Sequence, residues 1–354
     1  MKIKINKKLI GDNHPTYLIA DIGANHDGDL KRAKKLIELC AKAGANAAKF
    51  QHFKAETIVS DYGFKKLKIK THQSNWKQDV FNVYKKASIN PNWTNELKQT
   101  CKKFNIDFFT SPYDLDYVDQ LNKHICAYKI GSGDITWLEI ISKISKKKKP
   151  VLIATGASNM KDVERAFKLI SRFNKKIVLM QCNTNYTGDK NNLKYTNLNV
   201  LETFKKKFKD SAIIGLSDHT FGHTAVLGAV AKGARVIEKH FTDDNSRKGP
   251  DHHFAMNPKT WKEMVEAIRE LENILGDGIK KVEKNEINAK IVQQRSIRAR
   301  TSIFKGQIIK KKHLICLRPK SNSGLQPYTM PKILGKKTKK NIIKHEEINW
   351  KLIK

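Results

Sequence analysis

Ala212-Ile-Ile-Gly-Leu-Ser-Asp-His219-Thr220, then residues 224–232, then Arg235-Val-Ile-Glu-Lys-His240-Phe241, read as strand, helix, strand. The outer runs are short and apolar, and the stretch between them is helix-like. Strands joined through a helix lie parallel, with their C-terminal ends at one edge of the sheet. His219 and His240 end the two runs. The pattern therefore places their imidazoles at the same edge, about 5 Å apart in the pairing direction. Two imidazoles so placed can share one divalent metal and leave coordination positions open for substrate.

Six more β-rich runs precede this unit: Tyr17-Leu-Ile-Ala-Asp-Ile22, Ala47-Ala-Lys-Phe-Gln51, Ile106-Asp-Phe-Phe-Thr110, Ala127-Tyr-Lys-Ile-Gly131, Val151-Leu-Ile-Ala-Thr155 and Ile177-Val-Leu-Met-Gln-Cys182. Amphipathic stretches such as 30–43, 93–104 and 160–173 separate them with helical period. Eight strand–helix units over roughly 260 residues predict an α/β fold, a (β/α)8 TIM barrel spanning residues 1–275. A doubly wound open sheet would usually carry fewer strands and a Gly-rich first turn. Gly23-Ala-Asn-His-Asp-Gly28 is not the dinucleotide fingerprint. Residues 276–293 read as a linker. Residues 294–354 alternate short apolar runs with turn residues and predict a small β-rich module.

The formal net charge is +35, from 69 Lys and Arg against 34 Asp and Glu. Only ten of the basic residues are arginines, the residue favoured for base readout and phosphate forks. The lysines are dispersed and no nucleic-acid motif accompanies them, so the reading is a lysine-rich solvated surface and no nucleic-acid partner. No apolar run reaches the roughly 20 residues of a membrane span, and residues 1–15 lack the apolar segment of a secretory signal. The five cysteines are scattered without Cys-x-x-Cys spacing. Together these predict a cytoplasmic protein with reduced thiols and no membrane partner.

In a barrel, chemistry gathers where strands end. Those ends carry Asp21, Lys49, Gln51, Thr110, Lys129, Ser132, Asp134, Thr155, Tyr186, Ser217, His219 and His240. Lysine inside a strand is costly without an anion. Lys49 and Lys129, with Thr110, Ser132 and Ser217 near the same rim, predict a seat for phosphate and carboxylate. A lone strand lysine also suits a Schiff-base aldolase, but the paired histidines do not support that class.

Several strings, in order, resemble the sialic acid synthases: Ile19-Ala-Asp-Ile-Gly-Ala-Asn-His-Asp-Gly-Asp29, Ala45-Asn-Ala-Ala-Lys-Phe-Gln51, Phe109-Thr-Ser-Pro112, Lys129-Ile-Gly-Ser-Gly-Asp134, Gly215-Leu-Ser-Asp-His-Thr220, Glu238-Lys-His-Phe-Thr242 and Gly249-Pro-Asp-His-His-Phe254. The resemblance runs from about residue 16 to the end. It implies a TIM barrel followed by an antifreeze-like (SAF) domain, in a domain-swapped homodimer. It implies condensation of phosphoenolpyruvate with an N-acyl hexosamine, with a divalent metal (Mn2+, Mg2+ or Co2+) on His219 and His240. Lys49, Thr110, Lys129, Ser132 and Ser217 match phosphoenolpyruvate positions. Thr155 matches a rim hydroxyl. Gln51, Asp134, Tyr186 and Asp251 match sugar-facing positions, and Arg318 matches a tail arginine that reaches the N-acyl group from the other subunit. Asp21 matches the proton-transfer glutamate of the family, one methylene shorter. Asp134 likewise stands where Glu is common, Ala154 replaces a serine and Thr187 a proline. These departures lie on the sugar side. They leave two substrates open: N-acetylmannosamine, or a modified sugar such as a precursor of legionaminic or pseudaminic acid.

Overall fold

The computed structural model describes residues 1–354 except 68, 70–72, 74, 75, 77 and 187, so Thr187 lies outside the described residues. Two strands open the chain, β1 (Lys2–Ile5) and β2 (Lys8–Gly11). Eight parallel strands follow: β3 (Tyr17–Asp21), β4 (Ala47–His52), β5 (Asp107–Pro112), β6 (Tyr128–Ile130), β7 (Val151–Ala154), β8 (Ile177–Cys182), β9 (Ile213–Asp218) and β10 (Val236–His240). They close into a barrel as β10 pairs back onto β3. The expected (β/α)8 architecture is therefore present, and the open sheet is not.

Helices cover the outside, so β3, β5, β8, β9 and β10 are buried along their whole length, as both-face burial of a parallel sheet requires. Local signals fix the helix starts. Asn159 caps the helix Met160–Phe173 in a reciprocal box with Asp162, and Asn257 followed by Pro258 opens the helix Pro258–Leu275.

The antiparallel hairpin of β1 and β2 did not stand out in the basic N-terminal sequence. Its alternation Lys2-Ile3-Lys4-Ile5 buries Ile3 and Ile5, which join Ile10 in the barrel's apolar cluster. The Asn6 amide donates to Asp107 Oδ1 at 2.9 Å. Asp107 begins β5, so the hairpin lies against the N-terminal ends of the strands.

The chain divides into two compact units, Met1–Gly276 and Asp277–Lys354. The stretch read as a linker, 276–293, falls almost wholly within the second unit and carries the helix Ile287–Gln293. Its strands β11 (Ser296–Ala299) and β12 (Leu314–Leu317) pair antiparallel. Isolated bridges such as Ile303 with Ile342 add to them. Its core is almost wholly aliphatic, built on Ile297, Ile303, Ile309, Ile333, Ile342 and Ile348. No helix among the described residues is long and apolar enough to cross a membrane.

Candidate active site

Register builds the site. Residues directly opposite in a parallel sheet face the same side, and the side alternates along each strand. Asp21 stands opposite Lys49, Ser217 opposite Glu238, and Cys182 opposite Ser217. All five line one cavity of about 380 Å³ at the C-terminal ends of the strands, within the roughly 300–1,000 Å³ usual for small-molecule sites.

The cavity's floor is a layer of alternating charge. Lys49 Nζ lies 2.7 Å from Asp21 Oδ2 and 3.7 Å from Glu238 Oε1. Lys129 Nζ lies 3.0 Å from the same Glu238 oxygen, to which Ser217 donates at 3.1 Å. Gln51 donates to Asp21 Oδ2 at 3.1 Å. Burial pushes the Asp21 carboxyl up, but Lys49 and then His240 outweigh it and hold it at about 2. Burial depresses Lys49, and Asp21 and Glu238 more than reverse that, so its ammonium is raised above the ordinary value. The Glu238 carboxyl is raised by burial but lowered overall by Lys129 and Lys49. A protonated Lys49 is not the free amine that a Schiff base needs.

Above this layer stand the imidazoles. The rings of His219 and His240 are 5.5 Å apart, centre to centre, and tilted by 42°. Two imidazoles on one ion, each N about 2.0–2.1 Å from it, have centres roughly 5 Å apart. His219 Nδ1 is 2.8 Å from the Asn183 carbonyl, which only accepts, so Nδ1 carries the hydrogen and Nε2 keeps its lone pair. His240 Nδ1 is buried without a hydrogen-bond partner. It lies 3.7 Å from Asp251 Oδ2, while Nε2 is 3.6 Å from Asp21 Oδ2. The pair fits a divalent cation. Among the described residues no third His, Cys, Asp or Glu completes a metal cluster, so other positions would fall to substrate and water.

Gly23 permits this crowding. Its φ is +50°, and a Cβ there would stand 3.0 Å from Asp251 Oδ2 and 3.3 Å from the His240 ring. Tyr186 packs on His219 with ring centres 4.3 Å apart. Asp134 lines the cavity without a charged partner among the described residues, and burial raises its carboxyl to about 6.

The fold thus gathers eleven predicted residues: Asp21, Lys49, Gln51, Lys129, Ser132, Asp134, Tyr186, Ser217, His219, His240 and Asp251. Three are not in that cavity. Thr110 was expected at the phosphate seat, but it pairs in register with Phe50, not Lys49, and so faces the helix layer. Its hydroxyl donates to the Phe50 carbonyl at 2.7 Å and lies 2.8 Å from His52 Nδ1. Ser111, opposite Gln51, is the motif's hydroxyl on the inner side. Thr155 donates to the Met180 carbonyl at 3.0 Å and lines a separate groove with Asp162 and Phe204. Arg318 is exposed on the second unit, beside the cis Arg318-Pro319 bond.

Two features carry no role assigned from the sequence. Glu238 is buried among the lysines, and its place two residues before His240 already put it on the same face. The outer wall is largely apolar, formed by Phe53, Ile58, Val83, Tyr84 and Tyr113, with Gln73 its polar member. Phe53 and Tyr84 pack with ring centres 5.4 Å apart. Ile58 lies on the short helix Ala55–Ile58, and Val83 and Tyr84 lie on the helix Val80–Ala87; both helices belong to the long connection between β4 and β5, outside the one-strand-one-helix alternation.

Comparison with known proteins agrees with this geometry. Residues 36–280 match the NeuB family and residues 294–354 match the SAF domain. The chain is 37% identical to the N,N'-diacetyllegionaminic acid synthase of Campylobacter jejuni, over 94% of this chain and 98% of that one. It is 33% identical to a pseudaminic acid synthase of the same species, over 92% and 93%. Among solved structures, an N-acetylneuraminic acid (sialic acid) synthetase from Leptospira borgpetersenii, in complex with citrate, superposes with a TM-score of 0.72 at 29% identity, covering 82% of this chain and 95% of that one. With its closed barrel, its lysine–carboxylate floor and its family match over most of its length, this chain belongs to the NeuB family and carries a SAF domain.

Proposed function

We propose that this protein condenses phosphoenolpyruvate with an N-acylated hexosamine, giving a nine-carbon 2-keto sugar acid and inorganic phosphate. The observation that carries the reading is the buried layer Asp21–Lys49–Glu238–Lys129 lying beneath the His219–His240 pair in one cavity. The synthases to which the chain is similar point the same way.

In this reading the phosphate and carboxylate of phosphoenolpyruvate dock on Lys49, Lys129, Ser132 and Ser217. Carbon 3 then faces the open-chain sugar aldehyde. Attack forms the carbon–carbon bond and leaves positive charge at carbon 2. Water adds there, and the tetrahedral species expels phosphate. Two carboxyls in the cavity are pushed in opposite directions, and that divides their work. Asp21, at about 2, stays ionised and accepts a proton from the attacking water. Asp134, at about 6, carries a proton to donate to the aldehyde oxygen.

A divalent cation held by His219 and His240 would supply Lewis-acid polarisation of the aldehyde. Charge balance supports its presence. Lys49 and Lys129 already face Asp21 and Glu238, so a phosphate plus a carboxylate brings uncompensated negative charge into a buried space.

For the sugar, the apolar wall of Phe53, Ile58, Val83 and Tyr84 favours a deoxygenated, doubly acylated hexosamine over N-acetylmannosamine. A hydroxyl set against that wall would lose its water without a partner. The active assembly is a homodimer in which Arg318 serves the sugar bound by the second copy.

The deciding experiment measures inorganic phosphate release with phosphoenolpyruvate and a panel of mono- and diacylated hexosamines and their phosphates. Release requires both substrates, stops with chelator and is fastest with a diacylated 6-deoxy sugar. Release without any sugar would sink the reading, and a preference for N-acetylmannosamine would sink its finer part.

A further inference from the structure

At the opposite end of the barrel, a second cavity of about 430 Å³ opens between the β1–β2 turn and the segments leading into β5 and β6. Lys7, Lys98, Lys102 and Lys123 line it together with His124, over a floor that includes Ile106, Phe108 and Ile125. From these observations we infer a binding site for a small polyphosphate anion, inorganic or carried on a nucleoside, remote from the catalytic cavity.

The first argument is local charge. The one carboxylate in the lining, Asp107, is already taken. Lys8 lies 3.3 Å from its Oδ2, the Tyr17 hydroxyl donates to it at 2.6 Å, and Asn6 donates to Oδ1. Among the described residues, Lys7, Lys98, Lys102 and Lys123 line the cavity without an ion pair, and Lys98 Nζ donates to the Lys123 carbonyl at 3.2 Å, which joins those two segments at its rim. Dispersed lysines on a convex surface are solvated and screened. Four without a carboxylate partner line one concavity, and low-dielectric walls focus the field of charges so placed.

The second argument comes from His124. Burial lowers its pKa, and the charges of Lys98 and Lys123 lower it further. The lysine contribution, second to burial, is the part that reflects positive charge around the cavity. Helix-dipole compensation accounts for Lys102, in the last turn of the helix Thr94–Lys103, and for Lys123, just after the helix Leu115–Leu121, but not for Lys7 in the hairpin turn.

The test is calorimetric titration of the full chain with pyrophosphate and, separately, with ADP, at low and at physiological salt. Saturating phosphoenolpyruvate occupies the catalytic cavity throughout. Binding of either ligand that weakens steeply with salt, and that falls at least tenfold in Lys98→Glu/Lys123→Glu, supports the site. Tighter binding of ADP than pyrophosphate identifies the nucleoside-borne form, and the reverse identifies the inorganic one. The double variant keeps its turnover and its melting temperature, because neither lysine touches the catalytic cavity. Lys98→Ser/Lys123→Ser repeats the comparison without added negative charge. No heat with either ligand, or binding that persists in both double variants, overturns the inference.

Discussion

Asp21 and Lys49 are cross-strand neighbours in register, and their charged ends meet at 2.7 Å inside the barrel. Each strand alone carries an unpaired charge where a barrel interior normally holds Val, Ile or Leu. The pair exists only when β3 and β4 lie side by side.

Breaking that pair is costly on one side only. Lys49→Met leaves Asp21 buried without its main partner, which costs about 3–5 kcal/mol. Lys49→Met/Asp21→Asn removes both charges and regains most of that stability, while phosphate release stays abolished. Urea unfolding of the single and double variants checks the first claim, and the phosphate assay checks the second.

Asp134 sets a pH dependence. Its carboxyl ionises near 6 in the folded chain against 3.8 unfolded. A raised carboxyl stabilises the fold most fully below its unfolded pKa, and that contribution is lost as pH rises from about 4 to 6. In its role as proton donor, kcat/KM also falls as pH rises through about 6. Asp134→Asn flattens both slopes. An unchanged descending limb in the variant would refute the assignment of Asp134 as the acid.

The imidazole pair is tested by removal. His219→Ala and His240→Ala each abolish turnover and the binding of Mn2+ measured by titration of the chelator-treated protein. Full Mn2+ affinity in the double variant would move the metal elsewhere.

Thr110 and Lys49 separate by facing. Thr110→Val deletes hydrogen bonds in the helix layer and lowers stability by about 1 kcal/mol, with KM for phosphoenolpyruvate unchanged. A KM rising tenfold with unaltered unfolding would return Thr110 to the phosphate seat.

Arg318 tests the assembly. Arg318→Ala raises KM for the sugar and spares KM for phosphoenolpyruvate. Mixing Arg318→Ala with His240→Ala chains restores part of the turnover, because one mixed site carries both intact residues. Absence of any recovery after refolding the mixture counts against exchange between copies.

The barrel was legible because eight apolar runs alternate with helical patterns, and that period survives in sequence order. The rim was legible for the same reason: strand ends are marked by where each run stops. Parity within a rim was harder to read. Phe109-Thr-Ser-Pro112 offers two adjacent hydroxyls, and only the register with β4 puts Ser111 on the Gln51 side and Thr110 against His52. Glu238 shares the face of His240, yet its partners Lys49 and Lys129 come from distant strands. The apolar wall around Tyr84 rests on short helices that interrupt the strand–helix alternation between β4 and β5, and the basic cavity beside Asp107 is built largely by turns and loops.

The sequence by itself determined the barrel's strand count, the two imidazoles at neighbouring strand ends and the family, because each is written in local order and spacing. Tertiary structure alone decided which hydroxyls face the cavity, how the four buried charges pair and where unpaired lysines converge. Those depend on register and barrel closure, which bring together atoms far apart along the chain, at distances where charge and hydrogen bonding act.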